Sequence, residues 1–144
     1  MTSRLQTHFA SYEELTKDEL YALLWLRDRV FVVGQKITAE SEIDGDDPAN
    51  HHLLGYKDGE LVAYARLSWD QPVVKVGRVA VDPSQQRGGI GTELMLAVHE
   101  LLRNRPAKMH AQAYLRRWYE SLGWRVTGPL FLEAEIEHYP MERP

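Results

Sequence analysis

Apolar residues along this chain change their spacing several times, and each change predicts an element. Residues 5–11 read as a first strand with weak alternation. Leu20, Leu23, Leu24, Arg27, Val30 and Phe31 then recur at helical spacing, and Trp25 and Leu26 widen the apolar face. Just ahead, Thr16-Lys17-Asp18-Glu19 forms a capping box, in which the threonine hydroxyl and the glutamate satisfy N–H groups at a helix start. The helix therefore begins there, and Gly34 is expected to end it. Residues 38–50 carry few apolar side chains and are acidic, so they read as a loop.

Residues 51–57, the turn Asp58-Gly59 and residues 60–69 predict a hairpin, and the valine-rich 73–81 a third strand closed by Asp82-Pro83. Ile90, Leu94, Ala97, Val98, Leu101 and Leu102 mark a helix ending near Pro106. A short strand at 108–113 precedes a helix marked by Leu115, Trp118, Tyr119 and Leu122 and stopped by Gly123. Late strands are expected at 124–126, 130–136 and 137–143. Runs of strands with single inserted helices describe an α+β or mixed α/β sheet.

Composition narrows the function. At 144 residues the chain fits one domain, 1–144, with a single core. A net charge of -4 lacks the basic footprint of a nucleic-acid partner and suits cationic substrates. There is no cysteine, which excludes disulfides, thiolate metal sites and a thiol nucleophile. The first residues contain no apolar leader, and no run reaches membrane-spanning length, so a soluble, cytoplasmic protein is expected with no membrane partner. Asp44-x-Asp46 opens like a calcium loop, but alanine at 49 replaces the glycine such a loop needs, so no metal is expected.

The stretch Gln86-Arg87-Gly88-Gly89-Ile90-Gly91-Thr92 lies between a predicted strand and a predicted helix. Its glycines let backbone approach a ligand closely, and the helix start offers unpaired N–H groups and a positive dipole end, which together favour an anion. No Gly-Lys-Ser/Thr follows, and leucine at 94 leaves the dinucleotide fingerprint incomplete. Spacing alone also allows a tight turn with no ligand.

Gln86-x-x-Gly89-x-Gly91, preceded by Val79-Ala80-Val81-Asp82-Pro83, resembles the acyl-coenzyme A loop of the GNAT N-acetyltransferase superfamily. Gln112-Ala113 through Trp118-Tyr119-Glu120-Ser121-Leu122-Gly123-Trp124 resembles that superfamily's later motif. Leu26-Arg27, Val30-Phe31-Val32-Val33-x-Gln35, Asp44-Gly45-Asp46-Asp47, His51-x-Leu53-x-Gly55, Val62-Ala63-Tyr64-Ala65-Arg66 and Gly77-Arg78-Val79 resemble its ElaA-like branch. Gly34 stands where that branch commonly shows glutamate, and 37–41 lacks its Cys-Pro-Tyr.

The resemblance implies a mostly antiparallel sheet splayed at a coenzyme site, with flanking helices. Backbone of Val79 and Val81 would hold the pantetheine arm of acetyl-CoA, and Gln86, Arg87, Gly88, Gly89, Ile90, Gly91 and Thr92 its pyrophosphate. It implies direct attack by an amine of a small molecule or peptide, with a Val79 N–H at the oxyanion and Tyr119 returning a proton to the thiolate. Glu42, Asp44, His51 and His52 are candidate bases or acceptor contacts, and Arg78 would orient the acceptor or an acid such as Asp44. Arg116 and Arg117 are open between coenzyme phosphates and the helix surface. A non-catalytic acyl-CoA sensor on the same fold is the competing reading, and exposed late strands are compatible with a homodimer.

Overall fold

The capping box closes in the computed structural model, which describes residues 5–144. Thr16 Oγ1 accepts the Glu19 N–H at 3.1 Å, and the Glu19 carboxylate accepts the Thr16 N–H at 2.8 Å. Helix α1, Lys17–Arg27, follows. Its apolar stripe outlasts it. Where the α-helix was expected to reach Gly34, Asp28–Gly34 is a wider π-helical turn whose Gln35 N–H donates to the Val30 carbonyl at 2.9 Å. A side chain at Gly34 would place its Cβ 2.9 Å from the Arg29 carbonyl oxygen, so this turn favours glycine. Wide turns of this kind re-aim the chain, commonly at functional sites.

The strands β1 Gln6–Ser11, β2 His51–Lys57, β3 Glu60–Leu67 and β4 Val74–Val81 form an antiparallel meander. After α2, Ile90–Leu102, strand β5, Ala107–Gln112, joins β4 in parallel. Helix α3, Arg116–Ser121, leads to β6 Arg125–Val126, β7 Phe131–Glu133 and β8 Ile136–Arg143. The sheet order is β1-β2-β3-β4-β5-β8-β6, with β7 also on β8. This is a mixed α/β fold with an open sheet.

Both sheet faces are covered. Leu23, Leu26 and Val30 pack with Leu54, Tyr64 and Ala80 on one side. On the other, Ile90, Leu94, Met95, Val98 and Leu102 pack with Ala63, Ala65, Leu67, Val76, Met109, Ala111 and Met141. The period-3.6 and period-2 patterns meet there. Among the described residues no helix is long and apolar enough to cross a membrane.

The late hairpin corrects the expected boundaries. The strand expected over 130–136 stops at Glu133, and Ala134 and Glu135 make the turn with φ of 50° and 67°. Two consecutive left-handed residues match the twist of a two-residue hairpin, and no glycine marks the place.

β4 and β5 pair only at Val74 with Ala107 and Lys75 with Lys108, and beyond that they separate. On the other side of β4, Tyr64 pairs with Ala80 and Arg66 with Gly77, so Arg78 and Val79 face Ala65 alone. This is a β-bulge, with Arg78 at φ 51°, and a bulge bends its strand.

Candidate active site

The opening between β4 and β5 holds a cleft of about 580 Å³. Its first end is built from backbone. At the close of β4, the Asp82 carboxylate accepts from the Ser84 N–H at 3.0 Å and from the Arg29 guanidinium at 2.8 Å. The loop then turns through Arg87 at φ 75° and Gly89 at φ 83° into α2, whose first turn has no side-chain cap. Its N–H groups are left for a ligand. Gln86 Nε2 donates to the Val81 carbonyl at 3.2 Å, tying loop to strand.

Val79, Val81, Gln86, Arg87, Gly89, Gly91 and Thr92 line the cleft. Gly88 is not among the lining residues, and Ile90 is 2% exposed, an anchor in the core rather than a wall. The floor is aromatic. A Cβ on Gly91 would lie 3.4 Å from the Trp118 ring and 3.6 Å from Val81, so the bare backbone leaves open a cradle that a side chain would fill. Trp118 Nε1 donates to Thr92 Oγ1 at 3.3 Å. This uncapped cradle offers free N–H groups of the kind that suit an anion such as a phosphate.

Tyr119 lines the same cleft at 4% exposure, with ring centroids 4.8 Å from Trp118 and 6.4 Å from Trp124. Burial pushes its phenol above the usual tyrosine range. Arg116 lies on the helix surface, with Glu120 at 3.4 Å and its guanidinium 4.9 Å from the Tyr139 ring centroid.

The second end is built from side chains. Met109 and Ala111 of β5 pack in the core, His110 and Gln112 stand on the other face of the strand, and all four line the cleft where the sheet opens. Gln35, at the end of the π-turn, exchanges amide hydrogen bonds with Gln112 at 3.0 and 2.9 Å and donates to the Tyr114 hydroxyl at 3.2 Å.

Beside this bridge lie three arginines and three carboxylates. Fully buried Arg27 donates to Glu42 Oε2 and Asp47 Oδ1, each at 2.7 Å. Arg66 forks onto both Asp44 oxygens at 3.0 and 2.7 Å and reaches Asp47 at 3.0 Å. Arg78 donates to Glu42 Oε2 at 2.9 Å and lies 3.3 Å from Asp44. Burial alone would raise the Asp44 and Asp47 carboxyls, but bonds from Arg66 to Asp44 and from Arg27 to Asp47 outweigh it and hold both below the usual range.

Glu42, Asp44 and Asp47 of the acidic loop are therefore paired internally, while Glu40 lines the cleft. Of the sequence candidates here, Glu42 and Arg78 line the cleft but hold each other, and Asp44 is not among the lining residues. His51 and His52 do not line it either. His51 stacks on Phe9 at 5.3 Å, and His52 is fully buried, with Nε2 3.0 Å from the Asp47 carbonyl and Nδ1 2.5 Å from the Tyr64 hydroxyl. Because a carbonyl only accepts, His52 carries its proton on Nε2 and takes the tyrosine's at Nδ1. Burial lowers its pKa. Both its nitrogens are occupied.

Sequence reasoning also missed residues that line this end: Gln35 and Gln112 as contacts, and His110, Glu133 and His138. The alternation of β5 carried a signal for His110 and Gln112. Placing the late turn two residues too far hid Glu133.

A sheet opened between two parallel neighbours, beside the uncapped head of the next helix, is the fold of acyl-CoA acyltransferases. The chain belongs to the acetyltransferase (GNAT) domain family, whose model matches residues 13–143. Protein ElaA of Escherichia coli is 40% identical over 142 residues, 92% of each chain. The crystal structure of that protein superposes with a TM-score of 0.87 at 36% identity, covering 97% of this chain and 99% of the other. An acyl-CoA N-acyltransferase from Pseudomonas aeruginosa gives 0.84, also at 36% identity and the same coverage. A GNAT acetyltransferase from Elizabethkingia anophelis with acetyl-CoA bound shares the fold at 16% identity, TM-score 0.64, with 99% of each chain covered.

Proposed function

We propose that this protein is an N-acetyltransferase that moves an acetyl group from acetyl-CoA directly to a primary amine of a small molecule or peptide. The observation that carries this reading is the opening of β4 from β5 beside the uncapped head of α2, with Tyr119 on the same cleft. Bound there, acetyl-CoA supplies an activated thioester. Val79 and Val81 extend an unpaired strand edge along the pantetheine arm, and 86–92 hold the phosphates at the head of α2. In this reading the Val79 N–H, at the bulge, meets the thioester carbonyl oxygen and stabilises developing negative charge.

No cysteine exists to form a thiol acyl-enzyme, so the amine attacks directly. Tyr119 keeps its proton until the thiolate leaves, because burial raises the phenol's pKa. The same dry surroundings raise the thiol's pKa, so proton transfer to sulfur stays close to balanced. In this reading the enzyme works in the cytoplasm, with its acyl donor.

The test is coenzyme A release from acetyl-CoA, read with a thiol reagent, across polyamines, aminoglycosides, amino acids and lysine-bearing peptides. The cysteine-free chain contributes no thiol background. Acceptor-dependent release establishes transfer. Release from no amine, by a protein that binds the coenzyme, would instead identify a non-catalytic acyl-CoA sensor.

A further inference from the structure

The four residues nominated from sequence as proton acceptors are all engaged elsewhere, yet attack on a thioester needs a neutral amine. At the acceptor end a different pair meets the requirement. His110 of β5 and Glu133 of β7 both line the cleft, and His110 Nδ1 lies 2.8 Å from Glu133 Oε1. An ionised carboxylate only accepts, so the neutral imidazole carries its proton on Nδ1 and presents a bare Nε2. Among the described residues Nε2 has no hydrogen-bond partner.

The ring is also held in place. Phe131 meets it edge-on at 4.9 Å between centroids and stacks on His138 at 5.8 Å. His138 donates from Nδ1 to the Ile136 carbonyl at 2.7 Å, which leaves its Nε2 3.8 Å from the second oxygen of Glu133. Glu133 thus stands between two imidazoles. Other charged groups around the site are Lys108 on the same strand as His110, Glu40 and Glu42 of the acidic loop, Arg66 of β3, Lys75 and Arg78 of β4 and Arg87 of the glycine loop on the cleft. Among the described residues Glu133, unlike Glu42 and Asp44, has no arginine partner.

Resting on the transferase reading, we infer that His110 is the catalytic base for the acceptor amine and that Glu133 is its positioning residue. The acceptor ammonium gives one proton to His110 Nε2, and its freed lone pair forms the N–C bond. The C–S bond breaks, Tyr119 gives its proton to sulfur, and the second proton lost by nitrogen restores the tyrosine. The products are the amide and the free thiol, and His110 releases its proton to water. The carboxylate holds the tautomer and stabilises the imidazolium, as in a hydrolase triad.

Two measurements test this. Ring 15N shifts of labelled histidine, assigned against His110→Gln, should show His110 at pH 8 as the neutral Nδ1–H tautomer; a proton on Nε2 instead overturns the assignment whatever the activity. With the amine that gives the fastest coenzyme release, His110→Gln should lower kcat about 10²-fold, abolish the acid limb of the kcat/KM profile and leave acetyl-CoA affinity unchanged. Glu133→Gln should lower kcat about 10-fold and mix the two neutral tautomers in the ring 15N spectrum, because an amide can donate as well as accept. An unaltered pH profile in His110→Gln overturns the base while the transferase reading stands. Wild-type protein that releases no coenzyme with any amine overturns both.

Discussion

At the head of α2 the cleft presents backbone N–H groups, glycines and an aromatic floor, with little charge to balance. At the other end several walls are polar or charged side chains already in hydrogen bonds, among them Gln35, Glu42, Arg66, Arg78 and Gln112. The difference shows how each end is specified. A backbone site tolerates changes of side chain but not of conformation, whereas a side-chain network tolerates conformational adjustment but not loss of a partner. The two ends should therefore fail separately under substitution, and the size of each failure should follow what was removed.

Arg27 gives the largest expected effect. Its guanidinium binds two carboxylates at 2.7 Å with no exposure to solvent. Arg27→Met fills similar space but strips a partner from buried Asp47 and from Glu42. Breaking a buried pair in this way costs about 3–5 kcal/mol. At about 2–4 °C per kcal/mol for a domain near this size, Tm falls by about 10 °C. Below that temperature acetyl-CoA affinity stays at the wild-type value. A thermal melt shifted by less than about 2 °C, or a matching loss of coenzyme affinity, breaks the separation of the two ends.

Tyr119→Phe comes next and acts on chemistry alone. The ring keeps its packing against Trp118 and Trp124, and only the hydroxyl is lost. Removing a general acid lowers kcat by about 10²-fold or more, while acetyl-CoA Kd changes by less than about twofold. Steady-state kinetics beside a coenzyme titration decides it: near wild-type turnover would return Tyr119 to a purely structural role.

These two residues also show what the chain made legible. The capping box, the hairpin at Asp58-Gly59, the valine strand and the glycine loop are local signals, and each element stands close to where its pattern placed it. The π-turn at Asp28–Gly34 was hidden because a wide turn preserves the apolar stripe that announces a helix. The Ala134-Glu135 turn was hidden because left-handed residues there are not glycines. At the site, the glycine loop was legible because its glycines mark a tight strand-to-helix turn, with Gly89 in the left-handed region at its end. The ion pairs of Glu42, Asp44 and Asp47 were not legible because charge in sequence carries no sign of its partner: Arg27, Arg66 and Arg78 lie on three different elements and converge only through the fold.

Gly89 sharpens the comparison from the backbone side. Its φ of 83° lies in the left-handed region, and a Cβ built there meets nothing within 4 Å. Gly89→Ala therefore tests conformation without a clash. The strain is about 1–2 kcal/mol. It is relieved by shifting the loop, so coenzyme Kd rises up to about tenfold while the acceptor KM holds. Unchanged affinity in a calorimetric titration would mean that the conformation of this loop does not set the coenzyme's grip.

The smallest effect separates the ends by pH. Behind the coenzyme end, Trp124 Nε1 donates to His99 Nε2 at 2.9 Å, so His99 is neutral in the fold, and burial lowers its pKa to about 4. The unfolded chain, with histidine near 6.5, binds more protons between those values. His99 thus contributes stability that is fully present above about pH 6.5 and is lost as pH falls toward 4. Buried His52 loses stability in the same acid direction at the other end. Asp44 and Asp47 behave differently: their lowered carboxyls contribute above the ordinary carboxylate pKa and are lost only as pH falls further. His99→Gln offers Trp124 an amide oxygen as acceptor and cannot titrate in this range. It should flatten the stability profile between pH 6.5 and 4 by about 1 kcal/mol, a value discounted because the ring is only partly buried, while leaving the steeper carboxylate loss below pH 4 in place. Denaturant melts at half-unit pH steps read both windows, and a His99→Gln profile parallel to wild type throughout would show that the pairing with Trp124 exerts no control over acid stability.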